Sequence, residues 1–392
     1  MSSDGTVSIE DVTQTGPGTL AGRYLRSFWQ PVLEAPELKP ERALPVRIMG
    51  QDFTLFRGES GAAHLVDPRC AHRGTQLSTG WVEGDSIRCF YHGWRYDGSS
   101  GECVEQPAED SRFAAKVRIR SYPTQEYLGF IFAYLGDGEP PALPRYPEFE
   151  DFDGVLELES YRRHCNYFQN LENALDMSHV AFVHHDNSES FRTIGFGARL
   201  QADESAWGIT YAATREDGAV RINQLGMPNI FHMNALPTDR EIGWQESLFW
   251  WVPVDDDAHI QFSLHRLPVK GEAAERFRRR RTERCSRMDL AHAEVCDQIL
   301  AGKLSLADVD PTRVDIIRLQ DDIAQVGQGR TADRRHEHLG RGDAGLILIR
   351  KLWLRELRAL NDGLPLTVWT RPAGLAPTTW RPPAKERQPV AG

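Results

Sequence analysis

The sequence predicts an α+β protein of two domains: an N-terminal all-β domain, then a larger domain in which an antiparallel sheet is flanked by helices. Three observations point there. At 392 residues the chain exceeds what one ordinary core accommodates. Apolar and polar residues alternate in short runs between residues 45 and 66 and again between 195 and 265, the period of strands with one buried face. From about residue 272 the spacing changes to that of helices, over 272–300, 312–327 and 344–360.

Residues 1–23 read as an N-terminal arm, running into a short helix over Leu20–Gln30 that carries Tyr24, Leu25, Phe28 and Trp29. Strands follow at Pro45–Met49, Asp52–Phe56 and Ala63–Val66, with Gly50-Gln51 and Gly58–Gly61 between them in a hairpin rhythm. Gly129–Leu135 reads as a buried strand that closes this domain. The stretch from Gly136 to Pro147 is rich in Gly, Glu and Pro, a linker composition. The expected boundaries are therefore 24–143 for the first domain and 144–370 for the second. In the second, strands are expected at Ala206–Thr214, Val220–Leu225, Ile230–Leu236, Ser247–Val252 and Ile260–Leu267. Residues 371–392, rich in Pro and Arg, read as a disordered tail.

Composition narrows the function. A net charge of −10 argues against a nucleic-acid surface and against an anionic membrane. Arg278–Arg281 is a local exception in a Glu-rich helical region and reads as a solvated face. Met1–Gly18 is polar and acidic, without the pattern of a signal peptide, and no apolar run approaches the ~20 residues that span a bilayer. The six cysteines, Cys70, Cys89, Cys103, Cys165, Cys285 and Cys296, then suggest no disulfide framework. Cys103 reads as a buried thiol, and the expected location is the cytoplasm.

Two stretches carry chemistry. Cys70-Ala71-His72 is separated by sixteen residues from Cys89-Phe90-Tyr91-His92. Two Cys and two His can hold a structural zinc or a [2Fe–2S] cluster with thiolates on one iron and imidazoles on the other. A zinc finger usually separates its Cys pair from its His pair. Here each loop brings one of each, which favours the cluster. The second stretch, Cys165–His184, places Asp176, His179 and His184 within nine positions. Phe168–Phe182 has helical spacing without internal Pro or Gly. Two histidines five apart on a regular helix stand about 140° apart, so the helix is expected to end or bulge between Val180 and His184. Two His and a carboxylate from elsewhere make the facial triad, which leaves positions on Fe(II) open. His185 competes with His184.

Taken together, Cys70-Ala71-His72-Arg73-Gly74, Cys89-Phe90-Tyr91-His92-Gly93-Trp94 and the D-x2-H-x4-H run of Asp176, His179 and His184 resemble the Rieske non-haem iron oxygenases. Asn166 and Glu172-Asn173 match the flanking sequence as well. The resemblance spans roughly residues 20–370. It implies a Rieske [2Fe–2S] domain followed by a helix-grip (START-like) catalytic domain. It implies one cluster on Cys70, His72, Cys89 and His92, and one mononuclear Fe(II) on His179, His184 and a carboxylate from the C-terminal helices. Family spacing against Gly327-Gln328-Gly329 selects Asp321 for that carboxylate. The helical wheel places Asp322 nearer the apolar stripe of Ile316, Leu319, Ile323 and Val326, so Asp322 stays the runner-up. A helix buried on both faces would reconcile the two.

The resemblance further implies that Asp176 does not bind iron but links a cluster His of one subunit to an iron-ligand His of the next. The assembly would then be a head-to-tail homotrimer, single or stacked as a hexamer. Electrons would come one at a time from NAD(P)H through a flavin/iron–sulfur reductase or ferredoxin, with O2 as co-substrate. The expected reaction is hydroxylation or oxidative O- or N-demethylation of a small aromatic compound; the alternative is cis-dihydroxylation of the ring. A Rieske electron carrier without catalysis and a zinc-binding interaction protein are the readings outside this chemistry.

Candidate pocket residues are Asn223, Met227, Phe231, His232, Asn234 and Trp250. The run Arg330–Asp343 resembles a signature of the phthalate 4,5-dioxygenase-like subgroup and is inferred to form structural ion pairs. That subgroup leans toward aromatic acids, whose carboxylate Arg215, Arg221 or Arg240 would pair bidentately.

Overall fold

The computed structural model describes residues 6–114, 116–185, 198–239, 243–286 and 291–372. By contact it divides into two units: Gln14–Arg145 with Val252–Asp255, and Met1–Thr13 with Tyr146–Trp251 and Asp256–Gly392.

In the first unit, helix α1 (Leu20–Arg26) starts at Thr19, whose Oγ1 accepts the Gly22 N–H at 3.1 Å, and it buries Leu20, Tyr24 and Leu25. It ends at Ser27, short of the expected Gln30. Pro31 lies just beyond, and a proline disfavours the helical conformation both at its own position and at the residue before it. The chain from Trp29 to Glu34 is instead strand β1. The unit holds three antiparallel sheets. One is β1 with β11 (Phe130–Tyr134) and β10 (Thr124–Tyr127). The second is β2 (Ala43–Ile48), β3 (Gln51–Arg57), β4 (Ala63–Val66) and β9 (Ser121–Tyr122). The third is β5 (Trp81–Glu83), β6 (Ser86–Arg88), β7 (Arg95–Asp97) and β8 (Cys103–Glu105). A short helix α2 (Ser111–Ala114) follows. Phe56, Val66, Leu77, Ile87, Trp94, Tyr96 and the Cys103 thiol form one core, which also encloses Cys70 and Cys89.

The second unit opens with helix α3 (Pro147–Glu150) and is built on a seven-stranded antiparallel sheet. Its strands are β12 (Val155–Arg163), β13 (Arg199–Glu204), β14 (Gly208–Thr214), β15 (Val220–Gly226), β16 (Ile230–Asp239), β17 (Gly243–Asp255) and β18 (Ala258–Leu267), in the order β12-β18-β17-β16-β15-β14-β13. Five of the seven match expected strands. Edge strands β12 and β13 were not anticipated. In β12 the usual polarity is inverted, because Glu157, Glu159 and Tyr161 point at an internal cavity.

The helices are α4 (Tyr167–Ala174), α5 (Val180–Val183), α6 (Gly271–Ser286), α7 (His292–Leu300), α8 (Ile316–Val326) and α9 (Ala344–Asn361). Two expected helices are each divided. The 272–300 segment is α6 and α7, with 287–290 outside the described residues. The 168–182 segment breaks at Leu175–His179, earlier than the expected 180–184. There the Asp176 carboxylate accepts the Ser178 N–H at 2.9 Å and the His179 N–H at 3.4 Å. A side chain that takes those donors replaces the carbonyls that would continue the helix. Asp176 and His179 therefore share a turn, not a helix face.

Across α4 and α9, Trp353 meets Tyr167 and Phe168 edge-on at 5.8 and 5.7 Å. Arg334 forks onto buried Glu172 at 3.0 and 2.7 Å, and Arg350 joins Glu172 to Glu337. The Arg330–Asp343 run thus forms ion pairs, as inferred. Of the expected tail, only residues 371 and 372 are described.

The most enclosed ion pair among the described residues is Arg163 with Asp322, their side chains 1% and 3% exposed. Arg163 also donates to Asn170 and, at 3.1 Å, to Gln325. Asp322→Asn is expected to cost about 3–5 kcal/mol of stability, because it leaves a buried guanidinium uncompensated. Arg163→Met combined with Asp322→Leu is expected to recover much of that loss. Urea unfolding of the three proteins checks it. Equal stability of the single variant and the parent would remove the pair from the account.

Candidate active site

Two loops in the first unit bring the four Cys and His residues together, and they close in the same way. Cys70 N–H donates to Thr75 O at 2.8 Å and Gly74 N–H to Cys70 O at 2.8 Å. Cys89 N–H donates to Trp94 O at 2.8 Å and Gly93 N–H to Cys89 O at 3.0 Å. Gly74 and Gly93 sit at φ +75° and +74°, a conformation side chains resist. The Cys70 and Cys89 thiols are buried, while the His72 and His92 rings are exposed, 4.5 Å apart, with His72 stacked on Trp94. An inner thiol pair and an outer imidazole pair suit a two-iron cluster with chemically distinct irons. Tyr96, fully buried, accepts the Ala71 N–H at 3.1 Å and lies 3.2 Å from Cys70 Sγ. A cluster-bound Cys70 thiolate carries no proton, so with the cluster in place Tyr96 O–H would be the donor of that contact.

In the second unit His179, at the N-terminus of α5, and His184, just past its end, converge with Asp321 of α8. One ligand atom from each lies within 4.8 Å of the others. Nε2 of His184 is 3.4 Å and Nε2 of His179 is 3.8 Å from Asp321 Oδ1. The remaining ring nitrogens are held from behind. Nδ1 of His184 meets Gln320 Oε1 at 2.9 Å, and Nδ1 of His179 meets the Asp176 carbonyl. Such partners fix the tautomer that presents Nε2 forward. Asn173 Nδ2 donates to Asp321 Oδ1 at 3.3 Å.

Burial pushes the Asp321 carboxyl up, but the His184 and His179 imidazoles and Arg163 outweigh it and keep the group ionised. Burial pushes His184 down, and its carboxylate neighbour Asp321 with Gln320 reverses this. Burial lowers His179. Two imidazoles and an ionised carboxylate, joined by no fourth His, Cys, Asp or Glu among the described residues, are the set that suits a divalent iron with open positions.

Asp321 rather than Asp322 joins this group, and His184 rather than His185, whose ring is exposed and bonded to Phe182 O. Helix α8 uses both faces. Leu319, with Ile316, Ile323 and Val326, packs on Val295 and Cys296, while Ile317 and Asp321, with Val314 just before the helix, line the cavity.

The triad forms one wall of that cavity. Asn223, Phe231, Met233, Phe249 and Trp251 form much of the rest. Of the expected pocket residues, Asn223 and Phe231 are there. Met227, His232 and Trp250 are not. Alternate residues of a strand face opposite ways. Phe231 and Met233 point inward, so His232 between them points out, 2.8 Å from Glu246. Phe249 and Trp251 point inward, so Trp250 packs on Tyr146 behind the sheet. Met227 is buried in the turn after β15. The Asn234 side chain and Arg240 lie outside the described residues. Arg215 pairs with Asp217 at the surface, whereas Arg221 lines the cavity, fully enclosed, its pKa lowered by burial to about 10. Arg281 was expected in solvent. It is half-buried instead, paired with Glu157 and Glu159 at the cavity edge, while Arg278 and Arg279 are exposed.

Residues 28–123 match the family model of the Rieske [2Fe-2S] domain. The 5,5'-dehydrodivanillate O-demethylase oxygenase subunit of Sphingobium sp. is 30% identical over 373 residues, covering 90% of this chain and 80% of that protein. The phenoxybenzoate dioxygenase subunit alpha of Ectopseudomonas oleovorans is 33% identical over 373 residues, covering 88% and 84%. This chain is a Rieske non-haem iron oxygenase. Among solved structures, the oxygenase in the reduced oxygenase–ferredoxin complex of carbazole 1,9a-dioxygenase is similar in fold, with a TM-score of 0.60 at 20% identity over 91% of this chain and 97% of that one.

For this oxygenase the Tyr96 contact bears on redox poise. A hydrogen bond to a cluster sulfur favours the more negative, reduced state. Tyr96→Phe is expected to lower the cluster's reduction potential with its absorption spectrum otherwise kept. Potentiometric EPR titration measures this, and an unchanged potential would show that the contact does not reach the sulfur in solution. No helix among the described residues of the oxygenase is long and apolar enough to cross a membrane. Three of its residues escaped sequence reasoning: Gln320, Tyr96 and Arg163. Each meets its partner across a long stretch of sequence or through an atom that no motif encodes.

Proposed function

We propose that this chain is the terminal oxygenase of a multi-component system that inserts oxygen from O2 into an aromatic acid, with ring cis-dihydroxylation as the leading reaction. The observation that carries it is the triad of His179, His184 and Asp321 set into the wall of a cavity lined by Phe231, Phe249 and Trp251 and by the enclosed guanidinium of Arg221. The aromatic side chains take a ring face. Arg221, still protonated with a pKa of about 10, pairs a carboxylate through two N–H groups. Nearby Glu157 and Glu159 are already matched by Arg281 and Arg318, so the acidic side chains there are neutralised within the protein.

The sequence placed hydroxylation or demethylation first. The relative of higher identity is named a dioxygenase, as is the structural neighbour, and this moves ring dihydroxylation ahead. The O-demethylase relative keeps oxidative demethylation as the second reading. Membership of the phthalate 4,5-dioxygenase-like subgroup is part of the same proposal.

Cys70, His72, Cys89 and His92 would hold the [2Fe–2S] cluster, and His179, His184 and Asp321 the Fe(II). When bound, these groups supply single electrons and a site for O2. The residues around them set the conditions. Gln320 and the Asp176 carbonyl aim the two imidazoles, and the aromatic wall excludes water from the ring. The exposed His72 and His92 imidazoles, beside exposed Phe90 and Tyr91, form a docking tip for the Asp176 turn of a neighbouring subunit, which makes a head-to-tail homotrimer. A ferredoxin or flavin/iron–sulfur reductase delivers the electrons from NAD(P)H.

Product analysis of the reconstituted system with 18O2 and a panel of aromatic acids and methoxy-aromatic acids tests the reaction. A cis-diol carrying two labelled oxygens supports the leading reading. Stoichiometric formaldehyde supports the second, and reduction of the protein without any oxygenated product overturns both.

A further inference from the structure

Gln261 on β18 stands directly opposite Tyr161 on β12, and Trp251 belongs to β17, the strand on its other side. All three side chains line the cavity. Gln261 Oε1 accepts the Trp251 indole N–H at 2.8 Å and the Tyr161 hydroxyl at 3.0 Å, while Gln261 Nε2 donates to Ser263 Oγ at 3.0 Å. The chemistry of the groups fixes these directions. An indole N–H only donates, so the amide oxygen and not its nitrogen faces Trp251. That oxygen bears no proton, so Tyr161 donates to it as well. The Tyr161 hydroxyl in turn accepts from Arg163 at 3.0 Å, and Arg163 is held by buried Asp322. The contacts thus run from an anchored ion pair, across neighbouring strands, to an indole. Trp251 packs against Phe231 at 5.6 Å and lies parallel to Phe249 with 6.2 Å between ring centroids. A phenyl ring has no polar edge, whereas the indole has one by which its orientation is set.

We infer that Gln261 is a positioning residue: through Oε1 it pins the Trp251 indole in the cavity wall and so sets which carbon of the substrate ring faces the triad. This rests on the oxygenase reading above and deepens it. Gln261 acts through Trp251, because its oxygen already carries two donors. Without that acceptor the indole loses the bond that selects its orientation, and a ring packed on it is free to turn. Misplacing a reacting carbon by about 1 Å is costly to reaction at that carbon. A loosened wall therefore shows itself as oxygen placed elsewhere on the ring.

The test uses the iron-loaded holoenzyme and has two readouts. The first needs no ligand. Ultraviolet resonance Raman difference spectra between each protein and its Trp251→Phe counterpart isolate the Trp251 N–H band. Gln261→Leu, close in size and without an acceptor, is expected to move that band to the position of an unbonded indole. Gln261→Glu, which keeps an acceptor oxygen, is expected to hold it. The second readout is the product ratio from 3-chloro-, 3-hydroxy- and 3-methoxybenzoate, whose ring positions are inequivalent, in the reconstituted system with 18O2. The ratio of major to minor oxygenated product is expected to fall about 5-fold or more in Gln261→Leu, the worth of one hydrogen bond, and to be kept in Gln261→Glu. A product ratio does not depend on how much of the protein is folded, so lost stability alone leaves it in place. Trp251→Phe removes the other end of the same bond and is expected to lower the ratio by itself, with Gln261→Leu adding nothing further in that background. An N–H band that Gln261→Leu leaves in place overturns the inference. So does an unchanged product ratio in Gln261→Leu or in Trp251→Phe, or an equal further fall when the two are combined. No oxygenated product from any of the three acids in the parent overturns the aromatic-acid reading and the inference with it.

Discussion

Asp321→Ala is expected to yield a folded, coloured protein with its Rieske signal intact, less than one-tenth of the parent's mononuclear iron, and no detectable oxygenation. The carboxylate is the only anion of the triad, and its loss leaves two neutral imidazoles to hold a divalent ion. Loss of a direct ligand should exceed the roughly 10–100-fold penalties seen for outer partners. Iron analysis together with EPR of the nitric oxide-treated protein measures it. The neighbouring Asp322→Asn should behave in the opposite way, with weakened folding but iron retained in whatever fraction folds. Near-normal iron and turnover in Asp321→Ala would move the ligand role elsewhere.

Asp176→Ala is expected to separate the two metal sites functionally without emptying either. The part of Asp176 that orients His179 is its main-chain carbonyl, which alanine keeps. The part that is lost is the carboxylate. One of its oxygens caps the turn through Ser178 and the His179 N–H, a contribution of about 1 kcal/mol. The other lies 3.9 Å from His179 Nδ1 and, in the proposed trimer, would accept from an imidazole of the adjoining subunit. Turnover should fall by about 100-fold or more while iron content and the cluster spectrum stay near normal. Single-turnover kinetics with a pre-reduced cluster locates the loss. Electron transfer from cluster to iron should slow, and substrate binding should not. Undiminished transfer, or a fully active monomer in sedimentation, would end the bridging role.

What the sequence disclosed follows the range over which each feature is encoded. The Cys-His loops and the Asp176–His184 run are local, so spacing alone pointed to their chemistry. The antiparallel sheet was legible through β14–β18, where hydrophobic alternation marks one buried face. It was illegible in β12, where the inward face carries Glu157 and Glu159 and the distant Arg281 and Arg318 balance their charge. Pocket membership failed for a related reason. His232 and Trp250 each sit one residue from an inward-facing position, and sequence does not fix the parity of a strand until its partner strand is known. Between Asp321 and Asp322 family spacing chose Asp321, as the structure has it, while the helical wheel leaned to Asp322 because the wheel carries no trace of Arg163, more than a hundred residues upstream, which takes Asp322.

The iron-facing side chains come from the turn around α5 and from α8, whereas most of the cavity's ring-contacting side chains come from β15, β16 and β17. That separation makes chemistry and selectivity independently adjustable. A combinatorial library confined to the inward positions 231, 233, 249 and 251 can alter which molecules are accepted while the redox apparatus is inherited unchanged. Reassortment of strand residues is thus the short path by which this scaffold would acquire a new substrate, and insertions into α8 the short path by which it would lose all of them.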